Sequence, residues 1–95
     1  MSKVAVYQTR LFEQQKKKLK KNQIQDLDHA IQKIIHNPRI GQQKTGDLSD
    51  VWVHKFSMLN QQTLLAYQWD EKTRRLMALG VHENFYRDLK KHIHS

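Results

Sequence analysis

The chain has 95 residues, 38% of them hydrophobic, which suffices for one thin core and excludes a second domain or an enclosed chamber for a large cofactor. Seventeen lysines and arginines against nine aspartates and glutamates give a formal charge of +8 with neutral histidines. Such a field favours polyanions, nucleic acid first, with an acidic protein partner or an uncommitted basic surface as the alternative.

Cysteine is absent, so disulfides, a thiol nucleophile and cysteine-ligated zinc are excluded. No apolar run approaches a membrane span, and "MSKVAVYQTRLF" lacks the apolar core and cleavage site of a signal peptide. A cytoplasmic protein without membrane contact is expected.

"KVAVY" (3–7) is short and β-branched and predicts a strand. Thr9 then caps a helix from about Arg10 through "LFEQQKKKLKK", with Leu11, Phe12 and Leu19 inward and Lys16, Lys17, Lys18, Lys20 and Lys21 along it. These lysines are either a solvated face or a phosphate-facing one. Asn22 and Gln25 stand at capping-box spacing. Beyond them Ile24, Leu27, Ala30, Ile31, Ile34 and Ile35 recur at steps of three and four, the helical period, until Pro38 stops the helix.

Residues 37–50 hold two of the three glycines and the only proline and read as a loop. Three strand-like runs follow, "VWVHKFSM" (51–58), "TLLAYQW" (63–69) and "RLMALGV" (75–81), joined by short polar connectors that predict an antiparallel meander. Apolar residues on both faces of these strands imply a sheet covered on one face by the helical hairpin and partly covered on the other. The tail "HENFYRDLKKHI" (82–93) spaces Phe85, Leu89 and Ile93 as the inner stripe of a last helix. The whole is one α+β domain over residues 1–95: an N-terminal strand and helical hairpin packed on an antiparallel sheet, closed by a C-terminal helix.

The chemistry concentrates in "GVHENFY" (80–86). Gly80 ends a strand, His82 and Tyr86 share a face of the helix that follows, and Lys90 continues that face. In "VWVHKF", His54 shares a strand face with Trp52 and Phe56, either as a core histidine or beside aromatics in a cleft, and Lys55 points the other way. Two imidazoles, a phenol and lysines are the groups that metal-free cleavage of RNA requires. A base takes the 2′-hydroxyl proton, an acid protonates the leaving 5′-oxygen, and cations stabilise charge on phosphorus. No cofactor or metal is called for. The one close histidine pair, His92 and His94, stands at the tail, no Gly-rich phosphate loop is present, and the serines sit in no nucleophile motif.

The element order, the loop residues Asn37, Pro38, Gly41, Gly46 and Leu48, the strand "VWVHKF", the strand "LLAY" ending in Tyr67 and the closing "LGVHENFY" together resemble the RelE/ParE superfamily of toxins from bacterial type II toxin–antitoxin systems. The resemblance implies a metal-independent mRNA endonuclease acting in the ribosomal A site, and a cognate antitoxin that wraps the toxin and carries the complex to operator DNA. His82 would be the leading acid or base, His54 its counterpart, Lys55 a transition-state cation and Tyr86 a hydrogen-bond donor or stacking platform, with Lys16, Lys17, Lys18, Lys20, Lys21 and Lys90 toward RNA and the ribosome. Leu64 and Glu83 stand where many RelE-like members carry arginine, so the closing motif is more similar to histidine-using members of the YafQ type. A gyrase-poisoning toxin of the ParE branch, or a non-catalytic basic binding domain, are the alternative readings.

Overall fold

The computed structural model describes residues 3–48 and 50–93, with the side chains of Asp47, His82, Glu83, Asn84, Asp88, His92 and Ile93 outside that description. The expectations placed on the Ile93 side chain and on the pair His92 and His94 therefore lie outside the described residues. The elements in chain order are β1 (Ala5–Gln8), α1 (Arg10–Lys17), α2 (Lys21–His36), β2 (Gln42–Gln43), β3 (Trp52–Met58), β4 (Gln61–Trp69), β5 (Thr73–Gly80) and α3 (His82–Ile93). Short 3-10 turns over Pro38–Ile40 and Gly46–Leu48 flank β2.

One mixed sheet of five strands runs in the order β1-β5-β4-β3-β2. The meander β3–β4–β5 is antiparallel, as expected, but β1 joins β5 in parallel and β2 appears inside a stretch expected to be loop. The connection from β1 to its partner must span the two helices and the meander, and that long return permits the parallel pairing. The β3–β4 turn is tight, with Leu59 and Asn60 at φ of 50° and 67°, the left-handed pair that matches strand twist in a two-residue hairpin. Asp26 of α2 accepts the Leu59 N–H at 2.9 Å and ties that turn to the helix.

Thr9 caps α1 as its sequence position predicts. Its Oγ1 accepts the Phe12 N–H at 3.1 Å and donates to the Met77 carbonyl at 2.7 Å, so the cap also fixes the helix to β5. Gln15 continues that attachment by accepting the Leu79 N–H at 2.7 Å. The helix stops at Lys17, four residues short of the expected run, because the chain breaks at 18–20 to turn Leu19 inward against the core. The second helix then starts at Lys21, and its first turn is fixed by Gln23, whose Oε1 accepts the Lys20 N–H at 2.8 Å while its own N–H donates to Asn22 Oδ1 at 3.0 Å, in place of the expected pairing of Asn22 with Gln25.

Two apolar layers sandwich the sheet. The hairpin of α1 and α2 packs Phe12, Leu27, Ile31 and Ile34 on Leu65, Tyr67, Leu76 and Leu79. On the opposite face α3 packs Phe85 and Leu89 on Val53, Leu64, Ala66 and Ala78. A register shift opposite Ala66 and Tyr67 leaves Met77 as an extra residue of β5, so Leu76 and Leu79 share the hairpin face despite their odd spacing. That bulge, with coverage on both sides, explains four consecutive buried residues from Leu76 to Leu79.

Arg74 closes the end of α2. It is only 4% exposed, and its guanidinium donates to the Ile34 and Ile35 carbonyls, each at 3.0 Å, and to Asp70 and Thr73 carbonyls at 2.6 and 2.9 Å. A cation placed on the last-turn carbonyls satisfies acceptors that the helix itself leaves unpaired.

Candidate functional site

The face covered by α3 gathers part of the expected constellation. Tyr86 is half-buried, with its ring edge-on to Phe85 at 5.1 Å between centroids. Lys44, on the segment leaving β2, places its Nζ 5.2 Å from the Tyr86 ring centroid, within range for cation–π attraction. Its own backbone N–H donates to the Val51 carbonyl at 2.9 Å, which extends the β2–β3 register by one step and directs Lys44 to the same face as Val51 and Val53. Lys44 escaped the sequence reading because "GQQK" carries no periodicity to mark a strand.

Lys55 lies on this face too. It is exposed, pairs with Leu64, and Leu64 pairs in turn with Gly80, so Lys55 stands two strand spacings, about 10 Å, from the end of β5. The backbone of His82 begins α3 just beyond Gly80, and the close fit of Gly80 against Phe85, with 3.3 Å from a would-be Cβ to the ring, sets that helix down on the sheet. The His82 side chain lies outside the described residues, as does Glu83. Leu64 is buried in the apolar layer beneath α3.

His54 is not part of this assembly. It sits on the hairpin face, paired with Leu65 and stacked on Phe56 with centroids 6.0 Å apart and planes 12° from parallel. The residue is 8% exposed, and its Nε2 has no hydrogen-bond partner among the described residues. Burial, and then the positive charge of Lys33, push its pKa below the ordinary 6.5. The expected pairing of His54 with His82 across one cleft is therefore replaced by a separation: the sheet itself stands between His54 and α3. Strand alternation left both faces open for His54, and packing of α2 decided between them.

The five lysines straddle a corner and do not line one helix face. Lys16 and Lys17 end α1, Lys18 is its C-cap, Lys20 precedes α2 and Lys21 opens it; Lys16 is half-buried and the other four are exposed. Lys90 is exposed on α3. Among the described residues no group of three or more histidines or acids is arranged to hold a metal, and no helix is long and apolar enough to cross a membrane.

A small basic domain with a mixed sheet covered by a helical hairpin on one face and a C-terminal helix on the other is a fold found among bacterial toxins. A family model described as the ParE-like toxin of type II bacterial toxin–antitoxin systems matches residues 6–90, and the chain belongs to that family. Among solved structures it is similar to an arginine-to-alanine double mutant of the E. coli toxin RelE in the free state, at 22% identity and a TM-score of 0.73, covering 98% of this chain and 99% of that one. It is also similar to the toxin in the intact E. coli RelBE toxin–antitoxin complex, at 21% identity and a TM-score of 0.66 over 84% of this chain and 98% of that one. The isolated E. coli RelE toxin is similar at 20% identity, with a TM-score of 0.64 over 95% and 98% of the two chains. No curated protein matches in sequence. At these identities the structural likeness establishes the RelE-like fold, and the family model establishes the toxin class.

Proposed function

We propose that this toxin is an endoribonuclease that cuts mRNA on the ribosome, with its chemistry on the α3 face. The observation that carries the reading is the apposition of Lys44 and Tyr86, 5.2 Å apart, on the face that also holds Lys55. A phosphodiester lying there would meet two cations and a phenol in front of an apolar floor. Cleavage needs a base to take the 2′-hydroxyl proton as that oxygen bonds to phosphorus, and an acid to protonate the 5′-oxygen as its bond breaks. His82, the first residue of α3, takes one of these roles. Tyr86 donates to the phosphate or stacks on a base. Lys55 and Lys44 stabilise the additional negative charge of the pentacoordinate phosphorus. His54 has no part in the reaction.

The lysines at the α1–α2 corner and Lys90 would supply sequence-independent affinity for ribosomal RNA. The similar E. coli RelE chain occurs in a complex with its antitoxin, which supports a cognate antitoxin here, with operator DNA contacted through that partner in the cytoplasm. The test is primer extension on mRNA after induction of the toxin. Codon-phased cleavage in translated regions supports the reading, and intact mRNA overturns it.

The description of the matching family as ParE-like, together with the leucine at position 64, favours a second reading as a DNA gyrase poison. In that case DNA synthesis stops first and gyrase–DNA cleavage complexes accumulate, with mRNA intact.

A further inference from the structure

The face that holds Lys44 and Tyr86 carries a second group of side chains at its far edge. Residues paired across a ladder project to the same side of the sheet, so a row can be followed from strand to strand. Tyr7 of β1 pairs with Arg75 of β5, and Arg75 pairs with Gln68 of β4. Tyr67 and Trp69, which flank Gln68, and Leu76, which follows Arg75, all turn to the helical hairpin, so Gln68, Arg75 and Tyr7 turn to the α3 face. One step beyond the pair of Trp52 and Tyr67 the row meets Val51, whose carbonyl accepts the Lys44 N–H. Lys44, Val51, Gln68, Arg75 and Tyr7 thus form one transverse row from the end of β2 to β1, four strand spacings or roughly 19 Å long.

Val51 is buried, Gln68 half-buried and Arg75 exposed, while Tyr7 exposes 57% of its surface, the highest value of any large hydrophobic side chain among the described residues. An exposed aromatic alone means little, because single apolar side chains are common on protein surfaces. Here the ring has a guanidinium one strand away and a primary amide two strands away, at about 5 and 10 Å. Neither Tyr7 nor Arg75 has a side-chain partner among the described residues. The row contains no acid, and its neighbours on this face, Ala5 with Thr73 on one side and Thr9 with Met77 on the other, add none. Of the two acids in the β4–β5 turn, Asp70 is occupied by the Lys72 and Thr73 N–H groups at 2.7 and 2.8 Å, and Glu71 is exposed to solvent.

We propose that Tyr7, Arg75 and Gln68 form a subsite for single-stranded RNA, in which a base stacks on the Tyr7 ring, Arg75 holds the phosphate beside it and Gln68 bonds to a base edge. The subsite rests on the reading of the α3 face as the place where RNA is cut, and adds to it a contact a few nucleotides from the bond held at Lys44 and Tyr86. Rings exposed on a sheet, with a cation beside them, bind unpaired bases through their faces, whatever the sequence. A duplex keeps its bases stacked within itself and leaves the ring unused. An acidic peptide would engage Arg75 but offers Tyr7 no planar face. A second copy pairing along β1 would bring a further formal charge of +8 and its own Arg75 to the same edge, which disfavours a dimer there. Because the subsite lies away from the reacting atoms, its loss acts on KM, and the rate at saturation stays with the Lys44 and Tyr86 site.

The test is NMR titration of the intact toxin with a 2′-O-methylated hexa-adenylate, which cannot be cleaved because the attacking hydroxyl is blocked, and with a hexaglutamate peptide for comparison. The expected result is an upfield shift of the Tyr7 ring protons, with shifts at the Arg75 Nε–H and the Gln68 side-chain amide, given by the oligonucleotide and not by the peptide. Tyr7→Phe should bind as the parent does, and Tyr7→Ala about tenfold more weakly through the lost stacking. Arg75→Gln should lower the salt slope of binding by about 0.7. Both positions are exposed, and unchanged melting curves check that the variants fold. The proposal is overturned by an unresponsive Tyr7, by shifts confined to Lys44 and Tyr86, by equal affinity of Tyr7→Ala and the parent, by the same shifts with hexaglutamate, or by a dimer formed through β1. Failure of the cleavage reading looks different: mRNA stays intact when the parent toxin is induced, while Tyr7 and Arg75 still respond to the oligonucleotide. Cleavage by the parent with an unchanged KM in Tyr7→Ala sinks the subsite and spares that reading.

Discussion

The hydroxyl of Tyr67, a side chain with no exposed surface, accepts the Gly41 N–H at 3.0 Å and donates to the Pro38 carbonyl at 2.6 Å. This pair fastens the turn after α2 to the middle of the sheet, and so carries β2 and Lys44 to their places. A Cβ at position 41 would stand 2.5 Å from that hydroxyl and 2.9 Å from the Val53 carbonyl, which only glycine avoids. Tyr67→Phe should lower stability by about 1–2 kcal/mol through the loss of both bonds, and Gly41→Ala by more, since backbone has to move. Denaturant titration of both variants measures this, and a neutral Tyr67→Phe would show that the turn is held by other interactions.

Arg74 supports the same, C-terminal end of α2 from β5. Truncation to Ala leaves the Ile34 and Ile35 carbonyls without their donor inside the fold, and should cost about 2–4 kcal/mol. Arg74→Lys should recover little of that, because an ammonium cannot span carbonyls from four residues in one plane. Equal melting temperatures of the Lys variant and the parent would refute this account.

His54 gives a pH signature of the fold. Its imidazole is held below 6.5 by burial and by Lys33, so the folded chain binds fewer protons there than the unfolded chain. Its share of stability is complete above about pH 6.5 and declines as pH falls through the interval below that value. The parent should therefore lose more stability than His54→Leu between about pH 7 and pH 5, as followed by urea midpoints. Parallel pH profiles would mean that His54 finds a proton-accepting partner on protonation.

On the proposed catalytic face, His82→Gln should slow mRNA cleavage by about two to four orders of magnitude, the usual worth of a positioned acid or base. Lys44→Ala should cost up to about a hundredfold if it stabilises phosphorane charge. Tyr86→Phe separates a hydroxyl role from a stacking role by the size of its loss. His54→Gln should leave the cleaved bond and its rate at the parent level. A His54 variant as inactive as the His82 variant, yet equally folded, would return the mechanism to a two-histidine form.

Neutralising Lys17, Lys18 and Lys21 tests the corner between α1 and α2. Every phosphate deprived of its lysine should reduce the salt slope of ribosome binding by about 0.7–0.9, while stability changes stay within about 0.5 kcal/mol. An unaltered salt slope would mark the corner as merely solvated.

Much of this was legible in the residues. The Thr9 cap, the apolar stripe of α2, its stop before Pro38 and the three meander strands all follow from local pattern, and each is found. The parallel seat of β1, the two-residue β2 and the inserted Met77 depend on which strands meet, information that no local window contains. The face of His54 shows the difference most clearly. Alternation separated it from Lys55 correctly, but nothing in "VWVHKF" says which of the two faces α2 will cover. Arg74 was hidden for the same reason, since its acceptors lie 40 and 39 residues away in the chain.

The parallel pairing of β1 with β5 also fixes an order of events during synthesis. Ala5 through Gln8 are made early, yet their partners are Thr73 through Leu76, and the Thr9 hydroxyl waits for Met77. Until those residues leave the ribosome, the first strand has nothing to pair with and α1 has no anchor on β5. Closing a loop of nearly seventy residues is a late and comparatively slow step. The translating cell therefore carries an incomplete sheet through most of the synthesis of each copy, and the finished α3 face arises only near its end.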